Sequence, residues 1–291
     1  MLVVTTESLL APAVTRRLIV GAGIAIFVLA YGCLLATGTT EIVPSRDPGA
    51  PRVSLWAAAV PPLAALVLAA LVAPRRPAPR PPAGPSRDRL LREAWTLAGA
   101  AVLLAAVLPV AGGLLYLLAK VLFLLIVPLA AFRLISGREA RARAIPAPAA
   151  WLAPLPAVLV WVVLTQVGPF TMPFTQEPPD PVTLIAGSLA TLLTASVLEE
   201  GFYRAWLQTR LEALYGRWPA IVVQALLFAL MHSSRLSAGS LLTGLCTIVA
   251  FQGVFGLMLG YLWSRYRNIW VIVFIHALTN LVPVSVLLSL L

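Results

Sequence analysis

The sequence predicts an all-α, polytopic membrane protein, a bundle of about eight or nine transmembrane helices. Of its 291 residues, 60% are hydrophobic and only 11% are charged, and the mean hydropathy is +0.94. An ordinary soluble domain carries about 25% charged residues. Apolar runs of about 20 residues, the length that crosses the hydrocarbon core of a bilayer, follow one another along the chain. Together these observations exclude a soluble enzyme.

The first half of the chain predicts four spans. Leu18 to Ala36 forms the first, and its 19 residues are long for the core of a signal peptide, so it is expected to remain uncleaved. Val53 to Ala73 forms the second. The stretch from Pro74 to Pro85 repeats Pro and Arg and predicts a cytoplasmic linker. Ala94 to Phe132 would extend about 58 Å as one helix, which predicts two helices joined at Gly112-Gly113.

The second half predicts five further spans. Trp151 to Gly168 forms the fifth, and the Pro-rich segment from Pro169 to Pro181 reads as an outside loop because it carries Glu177 and Asp180 without Lys or Arg. The last four spans are Val182 to about Arg204, Trp218 to His232, Ser240 to Trp263, and Ile269 to the C-terminus.

The net charge of +10 arises from basic residues in short loops between apolar runs, so it indicates how the chain is oriented across the membrane. Nucleic acid is therefore not an expected partner. Of the 21 Lys and Arg, Arg204 lies within a span. Four fall on one predicted side of the membrane: Arg46, Arg52, Lys120 and Arg235. The other sixteen of the 21 Lys and Arg fall on the opposite side. The N-terminus is therefore predicted to be cytoplasmic, and nine spans would place the C-terminus outside, whereas eight would reverse one end.

The informative residues are polar groups that an apolar helix has reason to exclude. A charge near the bilayer centre costs roughly 2.5 to 3.5 kcal/mol even on the lenient insertion scale, so each needs an explanation. They fall in spans six, seven and nine, which also hold both histidines of the chain: Glu199, Glu200, Arg204, His232, His276 and Asn280. Lys120, in span four, is expected to extend toward the outer interface.

Helical spacing separates the roles of these side chains. Positions four apart share a face, so Glu200 and Arg204 are expected to form a buried ion pair of structural importance, while Glu199 points elsewhere and remains free for chemistry. Phe228 lies one turn before His232 and is expected to pack the wall of the site.

The remaining pairs suggest hydrolysis of an amide bond. His276 and Asn280 are four residues apart, so their side chains can donate hydrogen bonds to one oxygen atom and form an oxyanion hole. Glu199 and His232, meeting across helices, would act on one water molecule as a general base. This set of groups suits cleavage of a peptide bond by an activated water.

The three motifs Glu199-Glu200-x-x-x-Arg204, Phe228-x-x-x-His232 and His276-x-x-x-Asn280 occur in this order within apolar helices. In this the chain resembles the CPBP family of intramembrane glutamic endopeptidases, which includes the type II CAAX prenyl proteases and the Abi proteins. The resemblance covers roughly residues 182–284. It implies that Glu199 and His232 activate the water, that His276 and Asn280 bind the oxyanion, and that Glu200 and Arg204 support the site.

The resemblance also implies catalysis without a metal or other cofactor. We expect residues 1–150 to form N-terminal membrane helices with an Arg/Pro-rich loop and no assignable motif, and residues 151–291 to form the catalytic core. Cys33 and Cys246 both fall in apolar runs and indicate neither a disulfide framework nor a metal cluster.

Three other function classes compete with proteolysis by a glutamic peptidase. A proton-coupled transporter would use Glu199, Glu200, His232 and His276 as a relay, although the chain lacks repeated halves. A zinc peptidase would carry His-Glu-x-x-His, which is absent, and no convincing serine nucleophile motif is present.

The composition, rich in Ala, Arg and Pro, suggests a bacterial genome of high GC content and hence the inner membrane. The expected partners are the lipid bilayer and a peptide or protein substrate that reaches the membrane. The substrate and the oligomeric state stay open.

Overall fold

The computed structural model describes residues 10–43, 51–72, 86–136, 151–171, 180–236 and 240–281. Within these ranges the chain forms nine helices and one pair of two-residue strands, which confirms the predicted all-α bundle. The helices are α1 (Ala13–Ala36), α2 (Leu55–Leu71), α3 (Arg87–Val107), α4 (Gly113–Ile135), α5 (Leu155–Val167), α6 (Pro181–Tyr215), α7 (Arg217–Leu230), α8 (Leu241–Tyr266) and α9 (Ile269–Asn280). By length and composition, five of them can cross a membrane, namely α1, α3, α4, α6 and α8.

Local sequence explains where several helices begin. Ser86 caps α3, because its hydroxyl oxygen accepts a hydrogen bond from the Arg89 N–H at 3.3 Å. The chain then reverses at Gly113, whose φ of +52° favours glycine, so the predicted break at Gly112-Gly113 is confirmed. Asp180 caps α6, and hydrogen bonds from the side chain and backbone of Thr183 lower the pKa of the Asp180 carboxyl.

Helix α6 continues well past its predicted end at Arg204 and stops at Tyr215. It continues because the later turns also bury apolar side chains, including Leu207, Leu211 and Leu214. It stops because Gly216 adopts a φ of +82°, a left-handed conformation that ends the helix and begins the turn into α7.

Two π-helical stretches interrupt α6 on either side of Glu199, the predicted catalytic base, and Glu200, which was predicted to support the site. They span Leu192–Val197 and Gly201–Gln208, and the single α-turn Leu198–Glu200 lies between them. A π-turn inserts an extra residue into the helix and is frequent at functional sites. The two glutamates are therefore presented from a locally widened helix.

Helix α7 occupies the centre of the bundle, where it packs against α1, α6 and α8. On α8, Gly256 and Gly260 allow this close approach: the Gln224 amide donates to the Gly256 carbonyl at 2.9 Å, and the Gln208 amide donates to the Gly260 carbonyl at 2.8 Å. Buried amides in such positions fix the register of neighbouring helices because each needs its partner.

Other predictions are refined or lie outside the described ranges. The strands Glu41–Ile42 and Val53–Ser54 pair antiparallel and were not predicted. The predicted linker from Pro74 to Pro85, the loop residue Glu177 and the C-terminal residues 282–291 are not among the described residues. The sidedness of the chain stays a prediction.

Candidate active site

Three helices contribute charged side chains and a histidine to one buried cluster, which we call the acid cluster. It consists of Glu199, Glu200 and Arg204 from α6, His276 from α9 and Lys120 from α4. All five side chains are at most 5% exposed. The first four are predicted site residues that the fold brings together, and the fifth was not predicted.

Glu200 is the centre of a three-residue chain of contacts. Its Oε1 accepts a hydrogen bond from Nη1 of Arg204 at 2.9 Å and lies 2.6 Å from Nδ1 of His276. The predicted ion pair between Glu200 and Arg204 is therefore confirmed. It is made by one guanidinium nitrogen only, since Nε and Nη2 of Arg204 have no hydrogen-bond partner among the described residues.

The contact with Glu200 fixes the orientation of the His276 imidazole. A carboxylate can only accept a hydrogen bond, and Oε1 of Glu200 is also paired with the Arg204 guanidinium, so Nδ1 of His276 is the donor. The other ring nitrogen, Nε2, is then directed toward Glu199 and lies 3.9 Å from its Oε2. Glu200 thus acts on His276 as an orienting partner as well as pairing with Arg204.

The sequence predicts that Glu199 has no partner, and this is wrong, because Glu199 forms an ion pair with Lys120. The Lys120 ammonium lies 2.5 Å from Oε1 of Glu199 and 4.9 Å from the centre of the Tyr116 ring. The expectation that Lys120 extends to the outer interface is therefore wrong: its side chain is only 5% exposed. The physical reason is that a carboxylate buried in an apolar bundle requires a compensating cation.

The two oxygens of Glu199 consequently have different environments. Oε1 is bound by Lys120, whereas Oε2 is buried without a hydrogen-bond partner among the described residues. Two acidic and two basic side chains are thus paired in the cluster, Glu199 with Lys120 and Glu200 with Arg204. Lys120 is the only lysine of the whole chain. A lone lysine within an apolar span could have indicated a buried partner, but Lys120 lies far from the three motifs in the sequence.

His232 lies in the turn that follows α7, and its imidazole is held by its own backbone. Nδ1 lies 3.0 Å from the Phe228 carbonyl. A carbonyl can only accept, so Nδ1 carries the proton and Nε2 is an acceptor in the neutral ring. The turn is anchored by Ser233, whose hydroxyl donates to the Ala105 carbonyl at 2.5 Å.

The Phe228 ring contacts the rings of both histidines, and its predicted place in the wall of the site stays a prediction. Its ring meets the His232 ring edge to face at 5.1 Å between centroids and the His276 ring at 5.8 Å. The Arg204 guanidinium lies over the same ring, 4.3 Å from its centre. Within the described residues no hydrogen bond joins His232 to Glu199 directly, so the water that they were predicted to share stays a prediction.

Asn280 is the last residue of α9, one turn beyond His276, and it is exposed. Its predicted contribution to an oxyanion hole also stays a prediction. No group of three or more His, Cys, Asp or Glu side chains with the geometry of a metal site occurs in the described part of the chain.

Comparison with known proteins bears on the half of the chain that contains these motifs. Residues 181–282 match the family model described as type II CAAX prenyl endopeptidase Rce1-like, which confirms the resemblance seen in the sequence. The matched segment runs from the start of α6 to just past α9 and does not include Lys120. Comparison with curated proteins and with solved structures gave no match. The match supports an endopeptidase activity without specifying its mechanism. Together with the apolar helices, it indicates an integral membrane protein.

Proposed function

We propose, from the match of residues 181–282 and from the contacts around Glu199, that this chain is a glutamic intramembrane endopeptidase. It hydrolyses a peptide bond by an activated water, without a catalytic metal. The observation that carries the proposal is the asymmetry of Glu199: Lys120 binds one carboxylate oxygen, and the other lies 3.9 Å from Nε2 of His276. An ionised, fixed carboxylate with one oxygen available is what a general base requires.

In the first step a water attacks the carbonyl carbon of the scissile bond and transfers a proton to Oε2 of Glu199. The ammonium of Lys120, 2.5 Å from Oε1, holds the carboxylate in one orientation. His232 assists through Nε2, which the Phe228 carbonyl leaves as an acceptor for the second hydrogen of the water.

The tetrahedral intermediate carries a negative oxygen, which His276 and Asn280 stabilise. His276 can donate through Nε2 when both ring nitrogens carry protons, and the carboxylates of Glu199 and Glu200 lie on either side of the ring. Loss of one such donor typically lowers kcat by about 10²–10³-fold. The intermediate collapses when protonated Glu199 returns its proton to the leaving nitrogen, which breaks the C–N bond and regenerates the carboxylate.

The proposed substrate is a peptide or protein whose scissile bond reaches the acid cluster from the membrane. The name of the matched family refers to prenylated CAAX peptides, and the proposal for this chain is the broader peptide class. A farnesylated peptide and an unmodified membrane peptide, compared side by side, decide between the two.

The test uses the purified full-length chain in detergent micelles with a fluorogenic membrane peptide. We expect cleavage that continues in the presence of a chelator and is lost in Glu199→Gln. Glu41→Gln is the matched control, because Glu41 is exposed on the first strand and should leave the rate unchanged. Cleavage retained in Glu199→Gln would refute the assignment of the base, and cleavage lost with chelator and restored by zinc would identify a metallopeptidase.

The transporter alternative depends on the same network of side chains. Contacts of at most 3.9 Å join five residues in series: Lys120, Glu199, His276, Glu200 and Arg204. A relay would move protons without cleaving a peptide. Proteoliposomes with an internal pH dye distinguish the two functions: a peptidase cleaves with no imposed pH gradient and shows no proton flux that depends on Glu199.

A further inference from the structure

Two cavities adjoin at the end of the bundle where α6 stops and α7 begins, far along α6 from the acid cluster. The first, of about 550 Å³, is lined by Arg16 and Arg17 of α1 and by Arg217 of α7. The second, of about 270 Å³, is lined by mostly apolar side chains: Thr15, Ile19, Leu91, Ala94, Trp95, Ala98, Leu211 and Val223. Both cavities are also lined by Tyr215 and Pro219, so they are neighbours.

The three arginines of the first cavity are not neutralised by the described part of the protein. None of Arg16, Arg17 and Arg217 forms an ion pair there. Among the described residues, Nε of Arg16 and both Nε and Nη2 of Arg217 are buried without a hydrogen-bond partner. The carboxylate that Arg217 senses electrostatically, Glu212, is bound to Arg267 and to the Gln208 amide.

The start of α7 adds to this positive potential. Gly216 is its N-cap and provides no side-chain acceptor, and Gly216, Arg217, Trp218 and Pro219 all line the cavity. The N-terminus of a helix carries a partial positive charge, and a cation such as Arg217 in the first turn is unfavourable unless an anion is nearby. Three guanidinium groups, two of which have buried N–H groups without a partner among the described residues, and a helix N-terminus together form a site for a phosphate group.

The apolar cavity determines what kind of phosphate compound fits. An inorganic ion would use the arginines alone, whereas an amphipathic molecule can place its phosphate there and a hydrocarbon chain in the neighbouring cavity. Trp218 and Trp95 line the two cavities and are 49% and 71% exposed, as is typical of tryptophans at a membrane interface. Arg16, Arg17 and Arg217 also belong to the sequence-predicted cytoplasmic side, where anionic lipids are concentrated.

We propose that this pair of cavities binds one anionic phospholipid, with the phosphate among Arg16, Arg17 and Arg217 and an acyl chain in the apolar cavity. The lipid would join α1 to the corner between α6 and α7. These elements already touch, since the Ala11 N–H donates to the Leu214 carbonyl at 2.7 Å and the guanidinium of Arg16 lies beside Gly216. The expected effect of binding is therefore a stabilised bundle, independent of any cleavage activity.

The test measures thermal unfolding and native mass spectra of the purified full-length chain in detergent. The ligands are phosphatidylglycerol, phosphatidylcholine, glycerophosphoglycerol, which lacks acyl chains, and inorganic phosphate. We expect phosphatidylglycerol to raise the unfolding temperature and to be retained in the mass spectra, and phosphatidylcholine to do neither. Equal stabilisation by phosphatidylcholine, or full stabilisation by inorganic phosphate alone, would overturn the proposal of an anionic lipid.

The variants separate the two parts of the site. Arg17→Gln changes an exposed side chain and should fold normally, yet it should weaken phosphatidylglycerol binding by about tenfold. Arg133→Gln, an equally exposed change that lies outside the two cavities, is the matched control. Ala98→Trp should fill the apolar cavity and weaken binding of the lipid but not of glycerophosphoglycerol. Unchanged lipid binding in the double variant Arg16→Gln/Arg17→Gln would refute the proposed phosphate site. Unchanged lipid binding in Ala98→Trp would refute the proposed acyl-chain site in the apolar cavity.

Discussion

Replacement of Lys120 by Met tests the unexpected contact of the acid cluster. Methionine retains the unbranched, flexible side chain but removes the ammonium that lies 2.5 Å from Oε1 of Glu199. Breaking a buried ion pair by removing one partner typically costs about 3–5 kcal/mol, because the other charge is left uncompensated. Glu199 can avoid much of this cost by taking up a proton, but a protonated carboxyl is no longer a base.

We therefore expect Lys120→Met to lose activity more severely than stability. The loss of a general base corresponds to about 10²–10⁴-fold in kcat. The assay measures cleavage of the fluorogenic peptide and, on the same preparation, the unfolding temperature in detergent. Lys120→Arg serves as the conservative variant, since it retains the positive charge and should recover part of the rate.

A double-mutant cycle identifies the partner. If Lys120 acts through Glu199, then Lys120→Met combined with Glu199→Gln should be more stable than the sum of the two single losses predicts, because no unpaired charge remains. Wild-type cleavage and wild-type stability in Lys120→Met would show that the ion pair between Lys120 and Glu199 contributes to neither catalysis nor folding.

Three further predictions follow from packing and from the remaining polar residues. Gly260→Ala should lower stability by about 1–3 kcal/mol, because a Cβ would overlap the Gln224 amide, whereas Gly99→Ala, in open space on α3, should not; unfolding temperatures compare them. Glu200→Gln should reduce kcat and change the His276 NMR signal, since the orienting charge is gone, and should lower the unfolding temperature because Arg204 loses its buried partner; an unaltered signal would exclude the contact with His276. Asn280→Ala, at an exposed position, should lower kcat by about 10²–10³-fold with the unfolding temperature unchanged, and a normal rate would remove it from the oxyanion hole.

Features that depend on near neighbours in the chain could be predicted from the sequence. Runs of apolar residues gave the helices, Gly112-Gly113 gave the break between α3 and α4, and the spacing of four residues gave the ion pair between Glu200 and Arg204. Each of these follows from the rise and period of an α-helix together with the conformational freedom of glycine.

Contacts between distant parts of the chain could not be predicted in this way. Lys120 and Glu199 are 79 positions apart, and Glu200 and His276 are 76 apart, so their meeting depends on how the helices pack. The π-helical turns of α6 also escaped the sequence, since an apolar run does not distinguish a regular turn from a widened one. Consequently, the availability of Glu199 was overestimated and the orienting role of Glu200 toward His276 was missed.

The pairing of acids and bases in the acid cluster constrains how this site can vary among related sequences. Loss of the amine at position 120 would leave the bundle with a surplus negative charge that the bilayer cannot solvate. Divergent sequences that retain the acid at position 199 are therefore expected to change in pairs, supplying a guanidinium or amine from another helix whenever the residue at position 120 becomes neutral. Such compensated exchanges would leave a trace of covariation between the segment that carries the motifs and the segment that does not.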